Sequence, residues 1–167
     1  MRRAPALAAL AFLPLTGAAP LQAGAGAAVE CTLPYADAGK AAEMLNITRS
    51  SGEDPAAEGG VTRYFNPAGV TVLGQPASGY TTAEFVNDGV HRKIFRADVP
   101  LAYPAARAAM LKLHSKASCD AHETLTAGEQ DCMIHVREES GAQGGDVDMV
   151  IFELKGSVAV GCIYSRK

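Results

Sequence analysis

The N-terminal stretch constrains this chain more than any other part of it. Met1-Arg2-Arg3 is positively charged, and Ala4 to Leu15 follows without a single charge. Thr16, Gly17 and Pro20 come next, then the small-residue run Ala23-Gly24-Ala25-Gly26-Ala27-Ala28. A positive head, an apolar middle and a small-residue exit are what a secretory signal peptidase reads. The sequence therefore predicts a cleaved leader over residues 1 to about 25 and one domain over 26–167. Ala23-x-Ala25 and Ala25-x-Ala27 both fit the peptidase pattern, so the cut is not fixed to one bond. A membrane anchor fits less well, because the apolar run is about a dozen residues and a spanning helix needs ~20. Glu30 directly before Cys31 disfavours lipid attachment at that cysteine.

Export sets the reading of the cysteines. Cys31, Cys119, Cys132 and Cys162 all follow the leader, and an even count in an oxidising compartment predicts two disulfides. Four cysteines allow three pairings. The preferred one is Cys119–Cys132, closing a short loop, with Cys31–Cys162 tying the start of the domain to its last strand. In the chain-entropy view a short loop contributes ~3 kcal/mol and a long one somewhat more.

Some function classes are disfavoured by composition. The chain has 15 basic and 18 acidic residues, and without Arg2 and Arg3 the domain keeps 13 against 18, a net charge near −5. Nucleic acid as a partner needs a clustered positive field that this balance does not supply. No apolar stretch after the leader is long enough to span a bilayer. Tryptophan is absent and aromatics make up 6%, which leaves few stacking platforms for sugars or bases. Alanine and glycine usage has a bacterial character, so Asn46-Ile47-Thr48 carries little weight as a glycosylation acceptor.

Periodicity organises the rest. Ala38, Ala41, Ala42 and Leu45 recur at helical spacing within Thr32 to Asn46, with Pro34 suited to the start. Thr48 to Gly60 reads as a loop by composition. Short β-rich runs follow at Val61 to Phe65 and Val70 to Leu73, with a break from Gly74 to Gly79. Tyr80 to Val86 and Val90 to Ala97 flank Asn87-Asp88-Gly89, a hairpin signal. A helix is predicted from about Tyr103 to Ser118, with Ala106, Ala109, Met110, Leu113 and Ala117 on one face. A three-stranded meander closes the chain: Asp131 to Glu138, Val147 to Leu154 and Val158 to Tyr164. In its first strand Cys132, Ile134 and Val136 face one way and Met133, His135 and Arg137 the other. The predicted fold is α+β, an antiparallel sheet of about six or seven short strands with two helices packed on one face.

Few constellations carry chemistry. Cys119-x-x-His122 and Cys132-x-x-His135 together supply a zinc-friendly Cys2His2 set. The oxidising compartment favours the disulfide instead, and residues three apart on a strand point to opposite faces. His91-Arg92-Lys93 with Arg96 is a basic cluster, but alternation divides it between two faces. Glu138, Glu139, Asp146 and Asp148 crowd a glycine-rich turn without the regular spacing of a calcium loop. No Gly-x-Ser-x-Gly elbow or phosphate-binding loop is present. No cofactor is predicted. The reading that results is a small periplasmic or secreted, disulfide-bonded, non-enzymatic module that binds a protein or envelope partner. The alternative is a small secreted hydrolase or metal-dependent enzyme using some of His91, His114, His122 and His135. The two readings part on whether two of those histidines converge with a carboxylate.

Overall fold

A computed structural model describes residues 19–41, 50–55, 60–114, 131–141 and 144–167. Helix α1 spans Ala19–Val29. Residues 35–41 are helical and form α2. The strands are β1 (Ser50–Pro55), β2 (Val61–Phe65), β3 (Thr71–Val72), β4 (Gln75–Pro76), β5 (Gly79–Asn87) and β6 (Val90–Val99). Helix α3 (Tyr103–Leu113) then precedes β7 (Asp131–Glu138), β8 (Asp146–Leu154) and β9 (Ser157–Arg166).

Seven of these strands form one antiparallel sheet in the order β1-β2-β5-β6-β9-β8-β7, and β3 pairs with β4 in a small ribbon. The predicted α+β class holds, and so does the closing meander. The sheet is two meanders joined edge to edge where β6 meets β9, with Phe95 opposite Cys162 and Val99 opposite Val158. Its turns follow local chemistry. Asp88 and Gly89 both have positive φ (50° and 74°), the geometry of a two-residue hairpin whose twist matches its strands. Gly156, at φ 86°, closes the β8–β9 turn in the same left-handed region, which costs glycine nothing.

One face of the sheet carries the core. Tyr80, Phe95, Ala97, Val99, Cys132, Ile134, Val147, Met149, Ile151, Val158, Val160, Cys162 and Tyr164 alternate inward from five strands. Ala25, Ala28 and Val29 of α1, Ala38 of α2 and Tyr103, Ala106 and Met110 of α3 pack with them. Tyr164 sits edge-on to Phe95 (ring centroids 5.6 Å) and to Tyr35 (6.5 Å), and Phe65 sits edge-on to Tyr80 (6.0 Å). Edge-to-face pairs of this kind add about 1 kcal/mol beyond the area they bury.

Several local expectations are corrected. Ser50–Pro55 is a strand, not a loop: its backbone pairs with β2 from Ser50 opposite Phe65 to Pro55 opposite Val61. Backbone pairing at a sheet edge needs no β-rich side chains, so composition did not mark it. Gly74 to Gly79 is not a plain break, since Gln75 pairs with Val72 and Pro76 with Thr71. The strand expected over Val70 to Leu73 shrinks to Thr71–Val72 accordingly. Leu113 was placed on the apolar face of its helix but is 49% exposed at the last turn. The helix expected from Thr32 is helical from 35, and its far end lies outside the described residues, as does Asn46-Ile47-Thr48. Ala117 and the rest of the stretch expected to continue α3 to Ser118 lie outside them too. Residues 24–29, read from sequence only as a peptidase site, are the packed part of α1.

Two buried tyrosines fasten that helix to the sheet. The Tyr80 hydroxyl donates to the Ala25 carbonyl (3.0 Å) and the Tyr164 hydroxyl to the Ala28 carbonyl (3.2 Å). Burial pushes both hydroxyls above the ordinary tyrosine value; for Tyr80 the nearby Tyr164 adds to this, and for Tyr164 the Arg137 guanidinium opposes it while Glu139 reinforces it. The fold thus favours the neutral phenol. That contribution is complete below the unfolded pKa of 10.0 and is lost as the pH rises above it. Two of the five tyrosines should therefore ionise only as the protein unfolds in alkali, which ultraviolet tyrosinate absorbance followed alongside circular dichroism will show. Tyr80→Phe and Tyr164→Phe should each lower stability in urea by about 1 kcal/mol, the net worth of a buried hydrogen bond.

Candidate functional site

The disulfide Cys31–Cys162 joins the segment after α1 to the middle of β9, with Cα atoms 5.3 Å apart and both residues fully buried. It is one of the two pairs preferred from sequence. Cys132 is buried on the core side of β7 and is also disulfide-bonded, while Cys119 lies outside the described residues.

Next to this bridge the strand β7 changes face. Its register with β8 shifts between His135 and Arg137, so Val136 is passed over and Arg137 comes to lie opposite Val147. Val147 is a core-side residue with no exposure. A bulge of this type inserts one residue and reverses the alternation beyond it. Arg137 was expected on the outer face; the bulge turns it inward. There its guanidinium donates to the carbonyls of Cys31 (2.6 Å) and Leu33, and to Oε1 of Glu139 (2.7 Å). The other oxygen of Glu139 accepts the Tyr35 N–H (3.0 Å) at the start of α2. Arginine suits this position because a planar, permanently charged fork can serve several acceptors at once.

The histidines named from sequence do not gather. His91 is exposed on β6 near the β5–β6 turn. His114, just past α3, donates from Nε2 to the Glu30 carbonyl (2.8 Å), an acceptor that fixes the proton on that nitrogen. His135 is exposed on β7 and pairs through Nδ1 with Asp148 Oδ1 on β8 (2.9 Å). His122 lies outside the described residues. A carboxylate-oriented imidazole is one part of a hydrolytic dyad, but among the described residues no serine, threonine or cysteine hydrogen-bonds to it. Within the Cys119, His122, Cys132, His135 set, Cys132 faces the core and His135 the opposite side, as strand alternation requires. Among the described residues no three of His, Cys, Asp and Glu converge on a common point.

The remaining charges sit where the sequence set them. Lys93 pairs across strands with Glu84 (3.5 Å), and Arg96 lies 3.8 Å from Asp98 on the other face of β6. At the β7–β8 end, Glu138 stands opposite Asp146 and both are exposed. A shallow recess of about 350 Å³ opens here between the acidic turn and the end of β9, lined by Glu138, Glu139, Asp146, Ser165, Arg166 and Lys167 among others. Arg166 stacks over the Tyr35 ring at 5.4 Å, so two of its charged walls, Glu139 and Arg166, are already engaged with α2.

Sequence reasoning missed Arg137, Glu139 and the two tyrosines as organising groups. A β-rich strand that ends in Arg-Glu-Glu gives no hint of a bulge. The alternation of Tyr164 with Cys162 placed its ring in the core but did not reveal the helix carbonyl it would meet. Arg137→Ala should leave two carbonyls and the Glu139 carboxylate without their donor. We expect a loss of about 2 kcal/mol in urea unfolding, in the range of hydrogen bonds made by charged groups, with faster hydrogen exchange over residues 31–38.

The chain matches no protein-family model, and no curated protein or solved structure is significantly similar to it.

Proposed function

We propose that this is an exported protein of the periplasm or extracellular space, a disulfide-bonded module that binds a protein or envelope partner and performs no chemistry of its own. The observation that carries the reading is the Cys31–Cys162 bridge inside the core. Such bonds persist where the surroundings are oxidising. The leader at the N-terminus supplies the route to that compartment. No helix among the described residues is long and apolar enough to cross a membrane.

The second bridge of this reading is Cys119–Cys132, with His122 and His135 left as ordinary polar side chains. The binding assignment is supported by how the polar groups are used. Arg137, Glu139, His114 and Glu30 each hold backbone of the N-terminal segment or its neighbours, and His135 and Asp148 hold each other. A catalytic centre needs groups kept free and aimed at a common point.

Mass spectrometry of the full chain recovered from the exported fraction tests this. The expected result is a shortened protein with four alkylation-resistant cysteines and no retained metal. Reactive Cys119 and Cys132 with a bound zinc ion would overturn it in favour of a metal-dependent function. Reduction of the Cys31–Cys162 bridge, which spans 131 residues of sequence, should cost about 5 kcal/mol of stability in the chain-entropy view, read as a lower urea midpoint with reductant present.

A further inference from the structure

We propose that the leader is removed between Ala18 and Ala19, so that the whole of α1 belongs to the mature domain. The proposal rests on the exported reading and specifies the processing site within it. Ala25, Ala28 and Val29 have no exposed surface. The Ala25 carbonyl accepts the hydroxyl of buried Tyr80. A Cβ built on Gly26 would stand 2.2 Å from the Thr71 carbonyl oxygen, and one on Gly24 3.9 Å from Cβ of Ala41. The helix therefore touches the β3–β4 ribbon backbone to backbone, and α2 as well, over the very residues that carry the two alanine-rich peptidase patterns.

A cut after Ala25 would remove the acceptor of Tyr80 and place a new ammonium group at Gly26, in a buried contact. A cut after Ala27 would also remove the Gly26 carbonyl that accepts the Glu30 N–H and the Ala27 carbonyl that accepts the Thr32 N–H. An unpaired buried hydroxyl and a buried charge are both costly. A mature chain that folds as described keeps these residues.

Upstream of Gly24 the choice narrows. The peptidase needs small residues at the first and third positions before the cut. Thr16-Gly17-Ala18 meets that need directly after the apolar run ends at Leu15. Gly17-Ala18-Ala19 would put Pro20 immediately after the cut, where its ring obstructs the bond. Leu21-Gln22-Ala23 sets a large side chain at the third position. It would also leave a stub over 24–29 containing two glycines, too short to hold a helix well. Cutting at Ala18 keeps all eleven residues of α1. Pro20 then falls in the first turn, where a missing N–H costs nothing.

The test is to express the full chain with its leader in a bacterial host. The protein is recovered from the exported fraction, and its N-terminus is read by sequencing and intact mass. We expect Ala19 as the first residue. Gly24, Gly26 or Ala28 in that place overturns the proposal and leaves export standing, whereas an unprocessed chain held in the cytoplasm overturns export itself. Ala18→Gln should lose the processed form and accumulate precursor, while Ala27→Gln should be processed like the parent. The reverse pattern overturns the assignment.

Discussion

The carbonyls at and beyond the end of α1 govern how this molecule is assembled. A helix leaves its last four carbonyls without partners of its own; in α1 that of Ala28 is one of these and that of Ala25 lies one turn earlier, and the chain that follows presents further carbonyls inward. Here the Ala25 and Ala28 carbonyls accept the hydroxyls of Tyr80 and Tyr164, that of Glu30 accepts His114, and those of Cys31 and Leu33 accept Arg137. The donors come from β5, β9, β7 and the end of α3. One short N-terminal segment thus collects hydrogen bonds from elements spread along most of the sequence. The Glu30 carboxylate extends the pattern by accepting the N–H of Leu73 (2.6 Å), a residue held at φ 52° in the β3–β4 turn. A leucine in the left-handed region is strained, and this bond to a charged acceptor offsets part of that cost.

The same arrangement accounts for how the polar side chains among the described residues are used. Its charged and polar side chains near the core act on backbone. Arg137 is the clearest case, since a one-residue bulge is spent on turning it inward and its contacts there are two carbonyls and a carboxylate that itself holds a helix start. The charges that remain in solvent, at the β7–β8 turn and along β6, are mostly set against neighbours of opposite or like sign on adjacent strands. Surface pairs of this kind contribute little to stability.

How far the sequence foretold this depends on whether side chains or backbone carried the information. Strands built from β-rich side chains were legible: β2 and β7 fall on the expected residues, and the inward row Val158, Val160, Cys162 and Tyr164 is buried throughout. The Asp88-Gly89 turn was legible because its conformation is written in residues that tolerate positive φ. The Cys31–Cys162 pairing was one of three that the sequence allowed, preferred because it ties the start of the domain to its last strand, and it is the one present. What escaped was set by backbone and tertiary contact. The β1 strand is rich in Ser, Gly and Asp and exists by pairing with β2. The bulge at Val136 leaves no compositional trace and reversed the expected direction of Arg137. The alanine- and glycine-rich run from Gly24 to Ala28 resembles a spacer in sequence, yet small residues are what let a helix lie this close to a neighbouring backbone.

The bridge between Cys31 and Cys162 closes nearly the entire sheet into a covalent ring. A pull applied at the two ends of the chain is carried from the first helical layer into the last strand through a sulfur–sulfur bond, and most of the hydrogen-bonded ladders lie inside the loop and are not loaded. A single break in an exposed turn within the ring leaves both pieces attached, so the domain can be nicked without coming apart. That topology gives the domain a tolerance of backbone cuts that does not depend on repair.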